Sequence, residues 1–155
     1  MPNALTRRLG AFTALTDPDR QELADLTNRA ARKFRPRQDL IREGEAPRAI
    51  FLNIEGWACH YRTLDNGHRQ IVDFVLPGDL SDLNIFILDR VDHSLGAITN
   101  VTVAEIGRDD LAQVVANNPN ITTALWWQAL VSKSIHREWI INVAARDAQA
   151  RLSHL

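Results

Sequence analysis

Histidines and a lone cysteine are the side chains of this sequence with the most distinctive chemistry. They are His60, His68, His93, His136, His154 and Cys59. A transition-metal centre in a small β-barrel enzyme needs three or four converging ligands, and such enzymes commonly place two histidines one residue apart. No His-x-His pair occurs, and His60 and His68 are separated by a predicted hairpin turn. We therefore predict no metal site.

Cys59, as the single cysteine, excludes an internal disulfide and a cysteine-only zinc or iron–sulfur site within one chain. This usage suits a reducing cytoplasm. Cys59 shares one face of a predicted strand with Tyr61, whereas His60 takes the other face, which favours a small core residue. Haem or redox sensing stays open, because residue type alone qualifies as axial ligands Cys59, His60, His68, His93 and His136.

Nucleophilic and phosphate-transfer chemistry lacks its motifs. No serine lies in a Gly-x-Ser-x-Gly elbow, and no glycine pattern of a phosphate-binding loop occurs. We expect no catalytic residues and no enzyme activity.

The composition describes one ordinary domain without a strong electric field. The chain has 155 residues, 45% of them apolar, which suffices for a single buried core. With 18 basic and 19 acidic side chains the net charge is -1, so the basic surplus of a DNA-gripping surface is missing. No apolar run has the length of a signal segment or a membrane span, and we expect a cytoplasmic protein without membrane contact.

The pattern of apolar residues changes twice along the chain. Thr16-Asp17-Pro18-Asp19 marks the start of a helix that extends to about Arg29. From Ala31 to Ile106, short runs broken by glycine and proline predict β-strands. The clearest of these elements are strands at Ala49–Ile54, Trp57–Arg62, His68–Val75 and Thr99–Ile106, a turn at Asp65-Asn66-Gly67, and a short helix at Arg108–Asn117. The predicted fold is mainly β with flanking helices, a jelly-roll barrel followed by a long helix.

The long helix runs from Ile121 to at least Val143 without glycine or proline, with Asn120 as its expected cap. It spans about 35 Å at 1.5 Å per residue. A heptad-like stripe along it consists of Leu125, Ala129, Ser132, His136, Trp139 and Val143. Further apolar residues widen the surface, so one face can pack on the barrel and another on a second copy. We predict a homodimer.

Several short stretches form an ordered set of motifs. They are Arg42-Glu43-Gly44-Glu45, Phe51-Leu52-Asn53-Ile54-Glu55-Gly56, Pro77-Gly78-Asp79-Leu80, Val103-Ala104-Glu105-Ile106 and Asn118-Pro119-Asn120. Their order, with the helices around them, resembles the effector domain of the CRP/FNR family of bacterial transcription regulators. The resemblance implies a cyclic-nucleotide-binding-like roll at residues 1–118 and a dimerisation helix at 119–145. Residues 146–155 resemble the first helix of a winged helix-turn-helix, so DNA contact is expected only from a domain absent from this chain.

In relatives that sense cyclic AMP, a cassette after the Pro-Gly-Asp turn binds the ribose through a glutamate and the phosphate through an arginine pair. The matching positions here are Gly78, Asp79, Leu80, Ser81, Asp82, Leu83, Asn84, His93 and Ser94. Asp82 stands in the glutamate position, and His93-Ser94 replaces the arginine pair. A neutral imidazole does not substitute for a guanidinium on a phosphate, so a cyclic nucleotide is disfavoured.

Two features leave an anion site open. Arg90 might swing into the pocket, and a predicted short helix at Ser81–Phe86 offers backbone N–H groups. His136 and Arg137 lie where the long helix faces the ligand in cyclic-nucleotide sensors, although a solvated face is slightly favoured for both. A self-capped loop around Asp82 and His93, with a filled pocket, is about as plausible as a ligand site.

The resemblance implies a regulatory domain that senses an unidentified small molecule and relays its binding through a dimer helix. Two alternatives stay open: a cupin-like metal-dependent enzyme, whose jelly roll has the same strand periodicity, and a dimerisation module without a ligand.

Overall fold

The computed structural model describes residues 4–28, 31–83 and 87–147, together with Gln149 and Ser153. The helices are α1 (Ala4–Gly10), α2 (Asp17–Thr27), α3 (Arg108–Asn117) and α4 (Pro119–Ala145). The strands are β1 (Arg32–Phe34), β2 (Asp39–Ile41), β3 (Ala49–Glu55), β4 (Ala58–Thr63), β5 (Arg69–Val75), β6 (Ser94–Ala97) and β7 (Val101–Gly107). The predicted roll with flanking helices and one long helix is confirmed.

Two antiparallel sheets face each other across the core. One has the strand order β1-β7-β3 and the other β2-β6-β4-β5. Side chains from both sheets are almost fully buried between them, including Ile50, Leu52, Leu95, Val103 and Ile106. Burial of such side chains stabilises a fold by about 1.5–3 kcal/mol each, so this interior holds the roll closed.

The β4–β5 turn differs in detail from the sequence expectation, in which Asn66 and Gly67 both take positive φ angles. Gly67 has a φ of 80°, whereas Asn66 is not among the residues with positive φ. The Gly67 N–H donates to the Leu64 carbonyl at 2.8 Å, and the Asn66 side-chain oxygen accepts from the His68 N–H at 3.0 Å. A longer connection than a two-residue turn needs only one left-handed residue, and glycine supplies it.

Asn53 on β3 joins segments that are distant in sequence. Its Nδ2 donates to the carbonyls of Gly56 at 2.8 Å and Val75 at 2.9 Å. Its backbone N–H donates to the Asp79 carbonyl, and its own carbonyl accepts from the Gly78 N–H. The Pro-Gly-Asp turn is thereby fixed to β3, and the residues that follow the turn inherit their position from it.

Helix α2 begins as predicted. Thr16 and Asp19 form a reciprocal capping box, in which the Asp19 N–H donates to the Thr16 hydroxyl and the Thr16 N–H donates to the Asp19 carboxylate. Asn120 does not cap α4, contrary to expectation. The helix begins one residue earlier, at Pro119, and the Asn120 amide instead donates to Asp19 Oδ2 at 3.0 Å. Asp19 thus connects the starts of α2 and α4.

Replacing Asp19 with alanine is expected to lower the free energy of unfolding by about 2 kcal/mol at pH 7, because donors on two helices lose a buried acceptor. Burial raises the pKa of Asp19, but hydrogen bonds from the Thr16 N–H, Asn120 and the Thr16 hydroxyl outweigh it and leave this pKa lowered. Such stabilisation is present above the unfolded pKa and disappears as the pH falls through the folded one. Urea unfolding between pH 7 and pH 3 measures both effects.

Asp17, exposed in the same helical turn, provides the matched control. Asp17→Ala is expected to cost much less than Asp19→Ala at pH 7. Equal losses for the two variants would contradict the proposed connection.

Helix α4 is attached to the domain through its first half. Its buried residues are Ile121, Ala124, Leu125 and Gln128. Beyond Gln128 the helix has no buried residue within its described length. Nowhere in the described ranges does a helix combine the length and the apolar character that crossing a membrane requires.

Candidate functional site

A cavity of about 730 Å³ lies between the roll and the second half of α4. The roll contributes β4, β5, the segment that follows the Pro-Gly-Asp turn, and the loop before β6. The long helix contributes the facing wall from Gln128 to Ala144. The volume lies within the range of small-molecule sites.

The predicted cassette is divided by the structure. Leu80, Ser81, Asp82, Leu83 and His93 line the cavity. Ser81 to Leu83 form a bend and a turn rather than the expected start of a helix. Asn84, like the rest of the helix predicted up to Phe86, lies outside the described residues.

Other cassette residues support the site without lining it. Gly78 packs against α1, where an added Cβ would lie 2.8 Å from the Ala4 carbonyl oxygen. Asp79 pairs with Arg8 at 3.1 Å and accepts from the Leu76 N–H. Ser94 is buried and its hydroxyl accepts from the Glu43 N–H at 3.0 Å. These contacts commit Asp79 and Ser94 to the scaffold.

His93 is held between two carboxylates. Its Nε2 lies 3.3 Å from Asp82 Oδ2, and its Nδ1 lies 2.7 Å from Asp92 Oδ1. The hydrogen bond with His93 lowers the pKa of Asp92, against a smaller opposing effect of burial. Arg90, the arginine expected to swing inward, instead donates to the Gly44 carbonyl at 2.7 Å. The place of a phosphate clamp is therefore occupied by a histidine between acids.

Asp73 on β5 connects the roll to the long helix. Its Oδ2 lies 3.3 Å from His136 Nε2 on α4 and 3.7 Å from His60 Nδ1 on β4. Burial raises the pKa of Asp73, but the neighbouring His60 and His136 and the Phe74 N–H lower it further. His60 also meets His93 edge to face, with ring centroids 4.6 Å apart. The carboxylate and three imidazoles thus form one continuous group across the cavity.

Two buried polar atoms on the cavity wall have no hydrogen-bond partner within the described part of the chain. They are His60 Nε2 and Gln128 Oε1. Gln128 is only 6% exposed and His60 only 9%. An unsatisfied buried polar group costs about 1–3 kcal/mol, so both atoms are places where a bound molecule gains by supplying the missing partner.

The comparison with known families agrees with this geometry. Residues 31–118 match the family model described as the cyclic nucleotide-binding domain. The chain belongs to this family. It is 26% identical over 147 residues to the transcriptional activatory protein AadR of Rhodopseudomonas palustris, covering 95% of this chain and 60% of that regulator. It is 25% identical over 120 residues to the nitrogen fixation regulation protein FixK of Bradyrhizobium diazoefficiens, covering 77% of this chain and 50% of FixK.

Among solved structures, a cyclic nucleotide-binding domain from Methylobacillus flagellatus superposes with a TM-score of 0.76 at 15% identity, covering 94% of this chain and 85% of that one. This likeness concerns the fold. The curated relatives support an effector domain of the CRP/FNR type, and they are regulators rather than enzymes. This cyclic nucleotide-binding domain spans 60% and 50% of the lengths of those two relatives.

The heptad-like stripe of α4 faces the roll of this cyclic nucleotide-binding domain. Leu125 is buried in the core, and the remaining members line the cavity, namely Ala129, Ser132, His136, Trp139 and Val143. Trp139 also contacts Phe74 on β5, with ring centroids 5.9 Å apart. Arg137, the neighbour of His136, is exposed and does not line the cavity.

The remaining chemically distinctive residues of the domain lie away from the cavity. Cys59 is buried with a free thiol, and burial raises the pKa of that thiol, which disfavours the reactive thiolate. His68 is exposed in the β4–β5 turn. Within the described ranges, His, Cys, Asp and Glu side chains do not gather in threes suitable for a metal ion.

Gln128, His60 and Asp73 are absent from the site predicted by sequence. Gln128 carried a usable signal, because it is a polar residue three positions after the buried Leu125 on an otherwise apolar helix face. Asp73 and His60 carried none, since their meeting depends on the pairing of β4 with β5.

Proposed function

We propose that this chain is the effector domain of a CRP/FNR-type transcription regulator and that a small molecule binds in the cavity between the roll and α4. The observation that carries the proposal is the cavity itself, which takes one wall from the roll and the other from the helix. A molecule in this position contacts both walls, so its binding favours one arrangement of the helix relative to the roll.

A cyclic nucleotide is disfavoured as that molecule, although the family takes its name from such ligands. The cassette offers His93 between Asp82 and Asp92 where a guanidinium is needed, and Arg90 donates to a carbonyl outside the cavity. A phosphate there would face carboxylates without a bidentate cation.

The relay belongs to the same proposal. The outward face of α4 exposes large apolar side chains, among them Trp126, Trp127, Leu130 and Ile141. We infer that this face pairs with α4 of a second copy, and that DNA is bound by a further domain outside this chain. Sedimentation equilibrium tests the pairing: Leu130→Glu is expected to give a monomer at concentrations where the parent chain is a dimer, and an unchanged dimer would contradict it.

The neutral fluorescent dye N-phenyl-1-naphthylamine tests the cavity as a ligand site. Saturable binding is expected for the parent chain, and Ser132→Trp, which fills the cavity from the α4 wall, should weaken it at least about tenfold. Ala112→Trp adds an equally large ring at an exposed position on α3 and should bind the dye normally. Equal dye affinity for Ser132→Trp and the parent chain would remove the cavity from the proposal.

A further inference from the structure

The cavity carries fixed negative charge without a matching inward cation. Asp73, Asp82 and Asp92 all line it. Of the basic side chains on its wall, Arg62 pairs with Glu43 at 2.8 Å and Lys133 lies on an exposed part of α4. The positive charges are therefore placed at the rim, whereas Asp73 sits between strand and helix.

The buried wall presents acceptors rather than donors. Gln128 Oε1 has no partner in the described chain and can be satisfied only by an N–H or O–H group. His60 turns Nδ1 toward the Asp73 carboxylate, which favours the proton on Nδ1 and leaves Nε2 as an acceptor. A carboxylate or phosphate of a ligand would add a further acceptor to this set.

The rest of the lining suits an aromatic body. Val72 and Leu80 supply apolar surface on the roll side. Trp139 supplies an aromatic ring from α4, and its edge-to-face contact with Phe74 holds that ring in place. A cation near an indole face gains roughly 0.5–2 kcal/mol, depending on its exposure to water.

We propose that the ligand of this cavity is an organic amine with an aromatic body, bound through the carboxylates and the unpartnered Gln128 oxygen rather than through a phosphate clamp. This inference rests on the proposed function, because it names the ligand class of the same cavity. The ammonium group supplies the donors that the wall lacks, and the ring lies against the apolar lining.

Three indoles that share a ring and differ in their terminal group test the ligand class by displacement of N-phenyl-1-naphthylamine at pH 7.5. Tryptamine ends in an ammonium, tryptophol in a hydroxyl and indole-3-acetate in a carboxylate. Tryptamine is expected to bind at least about tenfold more tightly than indole-3-acetate, with tryptophol between them, because only the first offers both charge and donors. Cyclic AMP is expected to displace the dye least.

Two substitutions locate the preference. Gln128→Met keeps the length of the side chain but removes the acceptor, and it should weaken tryptamine about tenfold while leaving the unliganded chain as stable or more stable. Gln113→Met, exposed on α3, is the matched control and should change neither property. Asp82→Asn should narrow the gap between tryptamine and tryptophol.

The outcomes separate the two proposals. Dye binding that depends on Ser132, combined with equal or tighter binding of indole-3-acetate than of tryptamine, overturns the amine and leaves the ligand cavity in place. The same holds if none of the indoles displaces the dye at millimolar concentration. Dye binding that ignores Ser132→Trp overturns both.

Discussion

Replacing Gly56 with alanine is expected to lower the free energy of unfolding by about 4 kcal/mol, through backbone strain and overpacking together. Gly56 has a φ of 85°, and a Cβ there would lie 2.0 Å from the backbone oxygen of Asn100 and 2.9 Å from Thr99 Oγ1. Backbone cannot retreat as the end of a flexible side chain can, so the β3–β4 corner must open. Differential scanning calorimetry should show a melting temperature lowered by roughly 8–16 °C.

Gly67→Ala separates the two causes. Gly67 has a similar φ of 80°, but nothing lies within 4 Å of an added Cβ. Only the backbone penalty of about 1–2 kcal/mol applies there. If Gly56→Ala were no more costly than Gly67→Ala, the close approach to Asn100 would not be a real constraint on the fold.

Asn53→Asp is expected to be nearly as damaging, with a loss of about 3–5 kcal/mol at pH 7. The change removes the amide donors to the Gly56 and Val75 carbonyls and leaves a carboxylate that is about 1% exposed facing them. Because the Pro-Gly-Asp turn hangs from Asn53, the cavity residues Leu80 and Ser81 should shift as well. Chemical unfolding measures the first effect, and dye affinity the second.

The pH dependence of this variant has a definite sign. A carboxyl buried among carbonyls is favoured in its neutral form, which also regains one donor, so the deficit of Asn53→Asp should grow as the pH rises. Asn100→Asp makes the same chemical change at an exposed position and should be nearly neutral. A deficit that is independent of pH between 4 and 8 would show that the new carboxyl reaches solvent.

Local signals predicted the helices and the β4–β5 hairpin. The Thr16 capping residues, the Asn-Gly turn and the apolar spacing each act within a few residues, and all of them appear in the structure. Strand β6, Ser94–Ala97, was not predicted because every one of its residues is buried and no alternation marks it. Its Gly96 is set by a distant neighbour, since an added Cβ would come within 3.0 Å of the Tyr61 ring.

The candidate site was predictable only where the family motif runs through it. Asp82 and His93 follow from the position of the cassette, and their contact across 3.3 Å agrees with that position. The spacing of the α4 stripe showed which residues share a face, but spacing does not say what covers a face. A cavity covers it here, and the pairing with a second copy stays a prediction for the other side of the helix.

The attachment of α4 at one end makes the helix a lever. Its pivot lies where Asn120 contacts Asp19 and where Ile121 to Gln128 are buried. From Gln128 to Ala145 the helix extends about 25 Å at 1.5 Å per residue, and the cavity opens along this free arm. A tilt of about 5° at the pivot moves Ala145 by about 2 Å, which follows from that length alone. A displacement too small to alter the roll is thus magnified at the end of the chain farthest from the pivot.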